Sequence, residues 1–174
     1  MTQVREFLSK ADIAARVTEL GAEIRRAAGA DTPVHLVGVL KGAFVFLADV
    51  MREIGGDVSC DFIAVSSYVG TQSTGQVQIL KDLGHSIEGR YVVIVEDIVD
   101  TGLTLAYLQG VLRTRAPKSL TTACLLSKPS RRKVNVPVEH IGFTIEDRFV
   151  VGYGLDVNER YRNLPFIGLV QGGD

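Results

Sequence analysis

Two acids stand directly after a run of four apolar residues: Val92, Val93, Ile94 and Val95 lead into Glu96 and Asp97. Carboxylates at the end of a buried strand are costly unless paired, bound to a cation or facing a solvated cleft. Asp100 follows three residues later, and Thr101, Gly102, Leu103 and Thr104 open what reads as a helix. Backbone N–H groups at a helix start, helped by the dipole, hold a phosphate. The hydroxyls of Thr101 and Thr104 add donors, and Gly102 lets the backbone come close. Acids beside a phosphate cradle make sense if the ligand also carries vicinal hydroxyls and a magnesium ion. Carboxylates accept from ribose hydroxyls, and hard cations take oxygen ligands. A ribose 5-phosphate held this way puts its phosphate on residues 101–104 and its hydroxyls on Glu96 and Asp97. The segment lacks the lysine of a Walker A loop, which counts against an ATPase. The plainer alternative is a solvated turn in which Asp100 or Thr101 caps the helix.

The elements that must carry this segment are legible from periodicity. Residues 10–28 read as a helix, with Ile13, Val17, Leu20 and Ile24 on one stripe, Ser9 as N-cap and Gly29 as stop. A buried strand spans 34–40, and a helix spans 43–52 after Lys41 and Gly42. Strands are expected at 59–66 and 76–81, separated by a polar, glycine-bearing loop at 67–75. The continuous apolar run at 91–95 is the signature of a strand covered on both faces. A helix at 104–115 ends before Pro117, and further strands are expected at 120–126, 138–145, 148–152 and 166–170. Strands alternating with helices imply right-handed βαβ units and a parallel sheet, whose ligands bind at the carboxyl ends of the strands.

Composition narrows the class. At 174 residues and 46% hydrophobic, the chain suits one domain, 1–174, with a packed core. A net charge of −1 argues against a surface built for nucleic acid. No stretch reaches the ~20 apolar residues of a membrane span, so neither signal peptide nor anchor is expected. Cys60 and Cys124 fall in predicted apolar strands without a CxxC, and read as small core residues in a reducing cytoplasm. The three histidines, His35, His85 and His140, are scattered, and two lie in apolar strands as core residues. No catalytic triad or zinc spacing is visible. Gly152 and Gly154 invite a dinucleotide-fingerprint reading, but Val157 stands where the third glycine belongs.

The pattern of four apolar residues, two acids, two apolar residues and Asp-Thr-Gly-x-Thr resembles the phosphoribosyl-pyrophosphate signature of the type I phosphoribosyltransferases. The resemblance runs from about Leu36 to Val170 and is nearest to the bacterial hypoxanthine-guanine group. It implies an α/β fold with a central, mainly parallel sheet flanked by helices, plus a small hood formed by the terminal segments and a mobile loop. It also implies purine salvage, with a 5-phosphoribosyl group passing from phosphoribosyl pyrophosphate to N9 of hypoxanthine or guanine. By the resemblance, Glu96, Asp97, Asp100, Thr101, Gly102, Leu103 and Thr104 bind the ribose and 5-phosphate. Asp100 lies near purine N7 as general base or acid, where taking the ring proton makes the base a better nucleophile.

The remaining assignments are likewise implied by the resemblance. Lys41, Gly42 and Arg162 match the pyrophosphate contacts, with a cis peptide between Leu40 and Lys41 that aims a backbone N–H at pyrophosphate. Ile98, Lys128, Phe149, Val150 and Asp156 match the purine pocket. Lys128 supplies donors only and so favours a 6-oxo base over a 6-amino one. Glu96, Asp97 and Asp156 match the magnesium site, and Ser67 and Tyr68 open the mobile lid, whose closure would exclude water. Taken singly, Lys41 and Arg162 read as surface cations, Phe149 as core and Asp156 as a turn residue. Arg131, Arg132 and Lys133 read as a solvated turn. A non-catalytic regulator on the same fold, binding nucleotides or RNA, would keep the phosphate loop but not the base-reading set. A sister enzyme preferring xanthine is poorly separated, because the purine 2-position is read largely by backbone. The family forms homodimers or homotetramers, and the apolar helix at 43–51 is available for an interface.

Overall fold

Alternate residues of the apolar run face opposite sides of one sheet. Val93 and Val95 join a core with Leu20, Phe46 and Val50, while Val92 and Ile94 join a second core with Leu105, Leu108 and Leu112. The computed structural model describes residues 3–67 and 77–171. Its elements in chain order are β1 (Gln3–Leu8), α1 (Lys10–Ala28), β2 (Val34–Leu40), α2 (Phe44–Ile54), β3 (Val58–Ser67), β4 (Val77–Lys81), β5 (Tyr91–Val99), α3 (Leu103–Arg113), β6 (Ser119–Ser127), β7 (His140–Thr144), β8 (Val150–Val151) and β9 (Ile167–Gln171). The main sheet has the order β4-β3-β2-β5-β6-β7. All its pairings are parallel except β3 with β4. Helices α1 and α2 cover one face and α3 the other.

β5 lies between β2 and β6, so it is paired on both edges and buried on both faces. Its pairing with β6 carries it past the apolar run, through Glu96 and Ile98 to Val99. The two acids therefore lie within a strand and not in the loop beyond it. Backbone pairing, which side-chain polarity does not report, decides this. The caps of α1 are as expected: the Asp12 N–H donates to Ser9 Oγ at 3.1 Å, and Gly29 follows the last turn at φ 96°.

A three-stranded antiparallel sheet, β1-β9-β8, brings the two terminal segments together as that part of the expected hood, and its expected loop, at 68–76, lies outside the described residues. β1 had no signal in the sequence because most of it is exposed on an edge. The strands expected at 138–145 and 148–152 are shorter, at His140–Thr144 and Val150–Val151.

One expectation of placement changes. Cys60 is exposed, not core, whereas Cys124 is buried. Its part of β3 pairs with β2 alone, because β4 begins pairing only at Ala64. The apolar side of α2 is spent on the core through Phe46, Leu47, Val50 and Ile54, leaving Phe44 exposed. His35 and His140 are buried, and burial lowers the pKa of both, as for core residues. Among the described residues, no helix is long and apolar enough to cross a membrane.

Candidate active site

The carboxyl end of β5 opens on a cavity of about 170 Å³ lined by Glu96, Ile98, Asp100, Thr101, Gly102 and Thr104, among others. Gly102 is the N-cap of α3 in the left-handed region, at φ 83°. A Cβ there would meet Val136 Cγ1 at 2.8 Å, so conformation and space both demand glycine. Gly102 has no side chain to cap the helix and Asp100 pairs elsewhere, so of the two cap candidates Asp100 fails, while Thr101 Oγ1 accepts from the Leu103 N–H at a long 3.4 Å. The Thr104 and Leu105 N–H groups of the first turn keep their capacity for an anion. The Leu103 side chain is exposed on the first turn, away from the core.

Glu96 is buried, and burial followed by the charge of Asp97 pushes its carboxyl well above the ordinary range. Asp97 is pushed up to about 6, first by burial, against the N–H of Ile98 and the charge of Arg162, which pull it down. The Asp97 carboxylate lies against Gly42, where an added Cβ would fall 2.6 Å from Asp97 Cγ. The peptide between Leu40 and Lys41 is cis, as the resemblance implied. A Cβ on Gly154, at φ 100°, would strike the carbonyl oxygen of Gly42. Two glycines thus let the loop after β2, the end of β5 and the loop after β8 interlock.

That interlocking gathers the two expected pyrophosphate cations. Lys41 Nζ contacts Glu159 Oε2 at 2.8 Å, and Arg162 Nη2 contacts Glu159 Oε1 at 3.2 Å. The Lys41 ammonium holds the Glu159 carboxyl below its usual range. Arg162 also donates to the Gly154 carbonyl at 2.8 Å and pairs with Asp156 at 3.1 Å. Asp156 accepts from the Glu159 N–H at 2.8 Å. Glu159 was not singled out from the sequence, because nothing local to Asn158-Glu159 distinguishes it from any turn acid. The three acids expected at a metal, Glu96, Asp97 and Asp156, do not form a ready metal-holding group among the described residues.

Lys128 directly follows β6 with 7% exposure, and its Nζ meets Asp147 Oδ1 at 3.4 Å. The segment after β7 is drawn to this end, since the Ile145 N–H donates to the Ser127 carbonyl at 2.9 Å. Phe149 follows with 59% of its surface exposed, while Val150 is buried. An exposed aromatic beside a buried strand residue is unlike a core phenylalanine and suits stacking. Ile98 is half-buried at the end of β5. Ser67 ends β3, and Tyr68 lies outside the described residues.

Residues 131–133 are a turn with Arg131 and Lys133 exposed, as expected, but their polar groups are engaged with the loop after β5. Arg131 Nε donates to Asp100 Oδ1 at 3.0 Å. Arg132 Nη1 donates to the carbonyls of Val99 at 2.7 Å and Asp100 at 2.6 Å, and its Nη2 to Ser127 Oγ at 2.8 Å. The Lys133 N–H donates to the Thr101 carbonyl at 2.9 Å. The run clasps the loop that follows β5. The signal available was its place, a few residues after the end of β6 and Lys128.

A chain with this arrangement can be set beside known proteins. The phosphoribosyl transferase domain model matches residues 3–158. The hypoxanthine phosphoribosyltransferase of Escherichia coli K12 is 50% identical over 169 residues, covering 96% of this chain and 95% of that one. The hypoxanthine-guanine phosphoribosyltransferase of Bacillus subtilis is 48% identical over 166 residues, covering 95% and 92%. The crystal structure of a hypoxanthine-guanine phosphoribosyltransferase from Bacillus anthracis superposes with a TM-score of 0.92 at 43% identity, covering 99% of this chain and 100% of that one. With the signature segment, the sheet order and these matches agreeing over nearly the whole length, the chain belongs to the phosphoribosyltransferase family.

Proposed function

We propose that the chain is a purine salvage enzyme that transfers the 5-phosphoribosyl group from phosphoribosyl pyrophosphate to N9 of hypoxanthine or guanine, giving IMP or GMP and pyrophosphate. The observation that carries this reading is the shared location of Asp100 and buried Lys128, joined through Arg131 and Asp147 at the carboxyl ends of β5 and β6. One is a proton acceptor and the other a pure donor, which is the pair a 6-oxopurine requires.

In this reading the 5-phosphate occupies the cradle of Thr101, Gly102, Leu103 and Thr104, and the ribose hydroxyls donate to Glu96 and Asp97. Lys41, the backbone at Gly42 and Arg162 take the pyrophosphate, exchanging Glu159 for it. Lys128 Nζ donates to the purine 6-oxygen, Phe149 stacks on the ring, and Ile98, Val150 and Asp156 border it. The Asp100 carboxylate takes the proton from N7 as N9 bonds to C1 of the ribose. The bond from C1 to pyrophosphate breaks, with its electron pair leaving on pyrophosphate. Charge on the nearby carboxylates favours a cationic ribosyl centre.

Magnesium fits the donor set, which is all oxygen, and would offset the cost of two adjacent desolvated carboxylates. Glu96, Asp97 and Asp156 would hold it, with substrate oxygens completing the shell. When bound, it supplies charge neutralisation on the pyrophosphate. Ser67 and Tyr68 open the lid that keeps water out.

We read residues 1–174 as one domain, since both cores share one sheet. We also read a cytoplasmic homodimer or homotetramer without a nucleic-acid or membrane partner. The test is a spectrophotometric assay with phosphoribosyl pyrophosphate, magnesium and each of hypoxanthine, guanine, xanthine and adenine. Turnover on hypoxanthine or guanine is expected, and none on any oxopurine overturns the reading.

A further inference from the structure

Asp100, Arg131, Asp147 and Lys128 form a chain of alternating charge. Arg131 Nε lies 3.0 Å from Asp100 Oδ1, and Arg131 Nη1 lies 3.6 Å from Asp147 Oδ2. The other oxygen of Asp147, Oδ1, lies 3.4 Å from Lys128 Nζ. Asp100 Oδ2 takes no hydrogen bond from the described residues. The backbone of Asp100 is held separately, by the donation of Arg132 to its carbonyl. The loops involved come from the ends of three elements, β5, β6 and β7.

We propose that Arg131 is a positioning residue for base transfer. It occupies Oδ1 of Asp100 so that Oδ2 faces purine N7, and through Asp147 it sets the distance from that oxygen to Lys128. The proposal rests on the reading of Asp100 and Lys128 given above. A purine spans two recognition points, N7 and the 6-oxygen, on one rigid ring. A site that reads both needs its acceptor and donor held at a matching separation before the base arrives. When the base docks, Lys128 exchanges Asp147 for the 6-oxygen, and Asp147 retains Arg131. The pair of Arg131 and Asp100 is partly exposed in the free protein, where such pairs contribute little to stability. Under a stacked base it loses solvent, and its effect on geometry grows.

The test compares Arg131→Met, Arg131→Lys, Asp100→Asn and the double variant Asp100→Asn with Arg131→Met, in steady-state kinetics with hypoxanthine and phosphoribosyl pyrophosphate. Arg131→Met should lower kcat about tenfold, the scale of one charge-assisted hydrogen bond, with KM for phosphoribosyl pyrophosphate changed less than about twofold. Arg131→Lys, which keeps the charge but not the two-point fork, should recover only part of the loss. Because Arg131 acts through Asp100, the double variant should be no slower than Asp100→Asn alone. A normal kcat in Arg131→Met, or a further full loss on adding it to Asp100→Asn, overturns the positioning role while leaving the proposed function standing. Near-normal rates in Asp100→Asn remove the reading beneath it. If Arg131→Met does not fold, Asp147→Asn carries the same comparison, and a normal kcat there overturns the proposal.

Discussion

Replacing Asp97 by asparagine should make the ligand-free protein more stable above pH 6. Asparagine keeps the shape that lies against Gly42 and can still accept from the Ile98 N–H, whose present bond is 2.7 Å. What it removes is a charge that burial disfavours. The Asp97 carboxyl rises from 3.8 to about 6 in the folded protein. A carboxyl raised by folding binds its proton more tightly in the folded than in the unfolded chain. Its contribution is therefore neutral below about pH 4 and becomes a growing penalty as pH rises towards 6, complete beyond it. At ~1.4 kcal/mol per unit, the ceiling of that penalty is about 3 kcal/mol, and partial solvation of Asp97 reduces it. For a chain of this size, 1 kcal/mol shifts the melting temperature by roughly 2–4 °C. Thermal unfolding in a chelator at pH 5, 6 and 7.5 should show the parent losing stability across that range. The variant should decline less and should melt about 3–8 °C higher at pH 7.5. Adding magnesium and phosphoribosyl pyrophosphate should reverse the order, because only the parent keeps the ligand carboxylate. A variant that melts at or below the parent at pH 7.5, or with the same pH slope, refutes the reasoning.

Gly42→Ala places a methyl group 2.6 Å from Asp97 Cγ. It should cost roughly 1–3 kcal/mol in urea unfolding and raise KM for phosphoribosyl pyrophosphate more than KM for the base, and equal effects on both would contradict this. Arg132→Met leaves the carbonyls of Val99 and Asp100 without a shared donor. It should destabilise by about 2–4 kcal/mol and slow transfer, and denaturant midpoints equal to the parent's would show that the clasp is dispensable.

How much of this was legible in advance depends on how local the determinant is. The caps of α1, the two-faced burial of β5 and the glycine turn that opens α3 are short-range, set by dihedral preference, hydrogen-bond geometry and apolar runs. The resemblance extended this to Lys128, Arg162 and the cis peptide at Leu40. Three features needed the folded chain: the edge position of β1, the exposure of Cys60, and the continuation of β5 through Glu96. Each depends on what a strand pairs with.

By itself, then, the sequence determined the family, the sheet of alternating strands and helices, and the residue types offered at its carboxyl edge. Only the tertiary structure decided how those residues are held. Glu159 bridges Lys41, 118 positions away, and Arg131 reaches Asp100 across 31. Such pairs are weak one by one and leave no periodic trace in a chain. Their geometry is set by sheet register and by the close approach of Gly42 to Asp97 and of Gly154 to Gly42. Register and close approach exist only once the strands have paired.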